Sequence, residues 1–203
     1  MSKPPVTGLR ERIGETRRLY ENEEKFFEAV KSHRHVLEEL PRVLEMLDAA
    51  AAEKLREEAV DLGKPEITRQ YTHANFLLNK ANELRGTPAS AKNVERFIGC
   101  ALALRSSIRA LRADIYILKY HPQVLEKIRM LCDRVAEMSA IEDPQNKTEL
   151  AKYEAALVKR AGAAGRYING LPIDLEHKLK LRGDIRKLLE KKLRTTSDGM
   201  PKK

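Results

Sequence analysis

The longest unbroken hydrophobic pattern in the chain runs from Val94 to Leu118. Val94, Phe97, Ala101, Leu104, Ile108, Leu111, Ile115 and Leu118 follow one another there at steps of three and four residues. That spacing puts the side chains along one stripe of an α-helix lying against other helices. Ile98, Leu102 and Ile117 fall outside the stripe. A two-stranded coil would leave them in water, so the pattern predicts a central buried helix over residues 89–120 with neighbours on more than one side.

Upstream, Leu9, Ile13, Tyr20, Phe27, Val30, Leu37, Leu44, Ala51 and Leu55 hold heptad positions of a long first helix, with misses at Thr16, Glu23, Arg34, Pro41 and Asp48. Proline lacks a backbone donor and clashes with the preceding turn, which predicts a kink or restart at Pro41 and segments over residues 8–39 and 42–61. Asp61 to Pro65 then reads as a stop, with Gly63 free to take a left-handed cap. A second helix over 66–85 presents Ile67, Tyr71, Ala74, Leu78 and Ala81 on one face. Gly86, Thr87 and Pro88 punctuate it before the central helix. After His121 and Pro122 the seam resumes as Val124, Ile128, Leu131, Val135 and Met138, displaced by one residue. This predicts that the proline reorients the chain.

Asp143 and Pro144 close that helix, and Asn146 with Glu149 resembles a capping box opening the next. The buried stripe of this next helix is Leu150, Tyr153, Leu157, Ala161, Ala164 and Ile168. Asp174 can cap a last helix whose apolar side is Leu175, Leu179, Ile185, Leu188 and Leu189. No segment alternates with period two, and no hairpin turn joins two alternating runs. The chain therefore reads as an all-α bundle of five or six helices, the long first one kinked near Pro41. Its expected organisation is a flexible N-terminus (1–7), a single helical domain (8–194) and a flexible basic tail (195–203).

At 203 residues, 42% hydrophobic and 34% charged, the composition is that of a globular protein. No apolar run approaches the roughly 20 residues that span a bilayer, and the opening MSKPPVTG lacks the apolar core of a secretory signal. The expectation is a soluble intracellular protein, in the cytoplasm or, after removal of a presequence, in the mitochondrial matrix. Cys100 and Cys132 are too few for a disulfide framework and read as reduced packing residues. The net charge of +9 is uneven. Residues 1–60 carry 11 basic and 13 acidic groups, residues 61–140 carry 13 and 8, and residues 141–203 carry 15 and 9. Either the acidic front packs on the basic back, or the back meets an anionic partner.

Arg105, Arg109, Arg112, Tyr116 and Lys119 recur at offsets of 0, 4, 7, 11 and 14, which on a regular helix is one face. Guanidinium forks suit phosphates and carboxylates, and Tyr116 could stack on a base or cover an arginine. The structural alternative is pairing with the acidic first helix, which offers Glu21, Glu23, Glu24, Glu28, Glu38, Glu39 and Glu45. A second basic surface is the last helix, with Lys178, Lys180, Arg182, Arg186, Lys187, Lys191, Lys192 and Arg194 around its apolar side.

Other chemistry is weaker. His33 and His35 point about 200° apart on a helix and cannot readily share an ion. Ala161 to Arg166 lacks the lysine and hydroxyl of a phosphate loop, and its small residues read instead as a close approach of another backbone. No catalytic, cofactor or metal site is expected. The expected role is a non-catalytic scaffold or adaptor subunit binding other protein subunits, with structural RNA binding second and an anionic membrane surface third.

Overall fold

The computed structural model describes residues 5–85, 91–140 and 144–197, with side chains throughout those ranges except at 144–146 and 191–197. No strand occurs among the described residues, and the protein is all-α. In chain order the helices are α1 (Pro5–Tyr20), α2 (Phe26–Leu44), α3 (Ala49–Val60), α4 (Lys64–Leu84), α5 (Ala91–Ile115), α6 (His121–Ser139), α7 (Pro144–Gly170) and α8 (Leu175–Ser197). Six of these described helices are 19 residues or longer. A π-helical turn, Tyr116–Tyr120, lies between α5 and α6. Contacts divide the chain into two compact units, residues 1–115 and 116–203, at a boundary that no glycine, proline or polar run marks. The punctuation at Gly86 to Pro88, Asp143 and the tail beyond Ser197 lie outside the described residues.

In the first unit α1 packs on α2, α2 on α3 and α5, and α4 on α5. The long first helix is divided differently from the sequence expectation. It ends at Tyr20, where the amides of Glu21 and Asn22 close tight turns on Arg18 and Leu19, and the Asn22 side chain accepts from the Glu24 amide at 3.0 Å. Asn competes with the helix for backbone hydrogen bonds, so it opens a 3-10 turn (Glu23–Lys25) and α2 restarts. The restart resets the phase. Phe26 is buried and Phe27 exposed, and the α2 core becomes Ala29, Val30, His33, Val36, Leu37, Leu40 and Val43.

Pro41 breaks nothing. It sits exposed inside α2, held helical by its buried neighbours Leu37, Leu40 and Val43, and the break comes at 45–48, before Asp48 caps Ala51 at 2.9 Å. Gly63 does take the left-handed conformation, with φ 65°. A Cβ there would stand 2.3 Å from the Tyr20 ring, so close packing as well as backbone geometry requires glycine.

Two polar side chains are buried in this core with their partners. Thr16 reaches the Arg12 carbonyl at 2.8 Å and Ser32 at 2.6 Å. His33 is fully buried; its Nε2–H donates to the Ala59 carbonyl at 2.7 Å, leaving Nδ1 to accept from the Tyr20 hydroxyl at 3.0 Å. One imidazole thus ties α1, α2 and α3 together, and burial lowers its pKa to about 4.

Within α5 the centre of the predicted seam is core: Ala101, Leu104, Ile108 and Leu111 are buried, while Val94, Phe97 and Ile115 are half-buried. Two expectations fail. Leu102 is 56% exposed, off the buried seam, and Cys100 is exposed rather than packed, in a groove that α5 forms with α2 and α4.

In the second unit α6 packs on α7 and α8, and α7 on α8. Pro122 does not interrupt the chain: a π-helical turn precedes it, and α6 continues through the proline in its first turn, where a missing donor costs little. Asp174 caps α8 by accepting from the His177 amide at 2.8 Å. The buried stripe of α8 is Leu181 and Ile185 with half-buried Leu188; Leu175 and Leu179 are exposed. Gly165 would tolerate a Cβ with nothing within 4 Å, so the small residues of α7 do not mark the expected backbone approach.

Candidate interaction surface

Beside the buried seam of α5 runs a second stripe, Ile98, Leu102, Arg105, Arg109 and Arg112. At 3.6 residues per turn these positions fall within a sector of about 80°. Ile98 is half-buried, Leu102, Arg109 and Arg112 are exposed, and Arg105 is intermediate. The apolar end and the cationic end of one face are therefore adjacent.

Tyr71 of α4 organises the arginines. The Arg112 guanidinium carbon lies 4.6 Å from its ring centroid and that of Arg105 lies 5.9 Å away, both within cation–π range. The Arg105 Nε is sealed from solvent and has no hydrogen-bond partner. None of Arg105, Arg109 and Arg112 forms an ion pair with a described residue. Asp114, the carboxylate nearest in sequence, is held by Arg34 at 2.6 Å, and that hydrogen bond raises the Arg34 pKa.

The pairing expected between these arginines and the acidic first helix is not what forms. Arg17 meets Glu58 at 2.9 Å, Arg12 meets Glu39, and Arg69 meets Glu23 and, at 2.6 Å, Glu66. Glu23 and Glu39 are taken by other cations, Glu21, Glu24, Glu28 and Glu45 have no ion pair with a described residue, and the α5 arginines reach none of them.

Tyr116 and Lys119 do not complete the face. The 3.6-residue step stops at Ile115, where the helix changes to a π-helical turn, and both residues belong to the second unit. Tyr116 is only 5% exposed, packed 4.7 Å from the Tyr167 ring and against His121, so it offers no open ring to a base. Its hydroxyl and both His121 ring nitrogens lack hydrogen-bond partners, with Asp184 standing 3.6 Å from His121 Nε2. Burial lowers the His121 pKa against the opposing effect of Asp184.

The basic α8 surface is partly committed to structure. Lys178 donates to the Asn169 carbonyl at 3.0 Å, Arg182 to the Asn169 side chain at 3.3 Å, and Arg186 to Glu190. Lys180 and Lys187 are exposed without an ion pair among the described residues. The side chains of Lys191, Lys192 and Arg194 lie outside those described. Of the functional candidates, Tyr71 is the residue that sequence reasoning missed, because its pattern marked it as core.

Among the described residues no group of three His, Cys, Asp or Glu side chains is placed to hold a metal ion, and no helix is long and apolar enough to cross a membrane. Fold and surface together define an all-α protein of two compact helical units, the first carrying an arginine face with no ion pair among the described residues. The sequence matches no protein-family model and no curated protein, and the fold matches no solved structure.

Proposed function

We propose that the protein is a non-catalytic helical scaffold or adaptor subunit whose α5 arginine face docks an acidic segment of a partner protein. The observation that supports this reading is the set Arg105, Arg109 and Arg112, which share one helix face and have no ion pair with a described residue. Like charges at these spacings repel by a few tenths of a kcal/mol per pair, about 0.2–0.5, and an anionic partner removes that cost. Tyr71 restricts two of the three guanidiniums in advance, which lowers the ordering cost of recognition. Exposed Leu102 on the same face favours an amphipathic acidic helix, which brings an apolar residue beside its carboxylates.

RNA is the second reading, because the same guanidiniums suit phosphates. One capture experiment from native extract separates the two, using the wild type and the Arg105→Glu/Arg109→Glu/Arg112→Glu variant, each with and without nuclease. Proteins that survive nuclease on the wild type and are missing from the variant support the adaptor. Variant-sensitive material that disappears with nuclease supports RNA. Identical recovery by a folded variant rejects both.

A further inference from the structure

We propose that the second unit binds a nucleoside phosphate in a cavity between the π turn with α6 on one side and α7 on the other. The cavity has a volume of about 840 Å³, in the range of small-ligand sites. One wall is built by Tyr116, Tyr120 and Val124 at successive steps of four residues. The opposite wall is a single stripe of α7, in which Lys159 and Arg160 precede Ala163, Ala164 and Tyr167.

Each part of that lining has a counterpart in such a ligand. Tyr120 and Tyr167 are about half exposed, so each keeps an open ring surface on which a flat base can stack. Ala163 and Ala164 leave the space that a larger side chain would fill. Lys159 and Arg160 are exposed, carry no ion pair with a described residue, and stand one turn from the alanines, within reach of a phosphate at the cavity rim. No carboxylate lines the cavity to oppose an anion.

An independent observation points to a ligand at the same place. Tyr116 is 5% exposed and its hydroxyl has no hydrogen-bond partner, an arrangement that buried polar groups rarely keep. Burial raises its pKa, so it remains a donor at neutral pH. Tyr167 packs against it at 4.7 Å, and turning that half-exposed ring aside opens the hydroxyl to a base nitrogen or carbonyl. The same chemistry is offered by a free nucleotide and by a nucleotide within single-stranded RNA.

Calorimetric titration of the full chain with ATP, adenosine, tripolyphosphate and hexa-adenylate tests the site. ATP should bind at one site per chain, with adenosine and tripolyphosphate each weaker by roughly tenfold or more, since stacking and charge both contribute. Lys159→Gln/Arg160→Gln, at exposed positions, should weaken ATP binding by about the same factor with unchanged melting, and Tyr167→Ala should weaken it likewise with a lower but still cooperative melting transition. Ala163→Met should block it by filling the cavity, and Lys54→Glu, at an exposed position of α3, should leave it intact. Hexa-adenylate binding tighter than ATP, in competition with it, identifies an RNA source; weaker binding identifies free nucleotide. Absence of binding by ATP and hexa-adenylate at millimolar concentration overturns the proposal. So does tripolyphosphate binding as well as ATP, or affinity that the cavity variants do not change.

Discussion

Replacing His33 with glutamine should flatten the acid sensitivity of the first unit. The wild-type imidazole is fully buried and neutral, with its pKa lowered to about 4 by burial against the opposing hydrogen bond to Ala59, while the unfolded residue titrates near 6.5. Between those values the unfolded chain binds more protons than the folded one. The stability tied to neutral His33 is therefore fully present above pH 6.5 and lost as pH falls toward 4. At about 1.4 kcal/mol per pH unit the gap sets an upper limit of about 3.4 kcal/mol, of which about 2 kcal/mol falls between pH 7 and pH 5. Carboxylates also respond in acid, and the non-titrating His33→Gln variant subtracts them. Urea unfolding of both proteins at pH 7, 6 and 5, with hydrogen exchange of α2 peptides reporting the first unit, gives the difference directly. The stability advantage of the wild type should shrink by about 2 kcal/mol over that range. A pH-independent difference would refute the buried, neutral histidine and the network built on it.

Gly63→Ala should destabilise the first unit by about 2–4 kcal/mol in urea unfolding, from left-handed strain plus a Cβ driven into the Tyr20 ring. Pro41→Ala should do the reverse. With the proline inside an intact helix and exposed, restoring the amide should raise stability by about 1 kcal/mol after the loss of proline's restriction on the unfolded chain. Ile108→Ala, at a fully buried position of the α5 seam, should cost about 2–5 kcal/mol by the same assay.

The parts of the fold that could be read from sequence are those in which one local rule governs several turns. The α5 seam and the α4 face hold because apolar spacing within one uninterrupted helix depends on helix geometry alone. Gly63 could be read because a left-handed cap is a local requirement. The first helix departs from its pattern for the opposite reason. Proline is a strong breaker in isolation, yet at Pro41 the burial of Leu37, Leu40 and Val43 outweighs one missing hydrogen bond. The weak signal at Glu21 and Asn22 prevails because nothing buried opposes it. At both places a breaker acts only as far as the packing around it allows. The division into two units leaves no such trace, since contact density is not written in any short stretch of chain.

The candidate site was legible only as far as its helix kept one geometry. Offsets of 4 and 7 put Arg105, Arg109 and Arg112 on a single face because α5 is regular through Ile115. Extending the same arithmetic to Tyr116 and Lys119 assumed that the step persisted. The seam gives no warning there, because it keeps its spacing to Leu118, past Tyr116, and slips only before Val124, whereas the π turn begins at Tyr116. Tyr71 required a different kind of information. Its role comes from α4 lying against α5, and a half-buried tyrosine on an apolar stripe carries no local sign of the two guanidiniums it meets from another helix. Packing of α4 on α5 gives two of the three arginines a common ring, and packing of α2 on α5 assigns Asp114 to Arg34, so none of the three has an ion pair with a described residue.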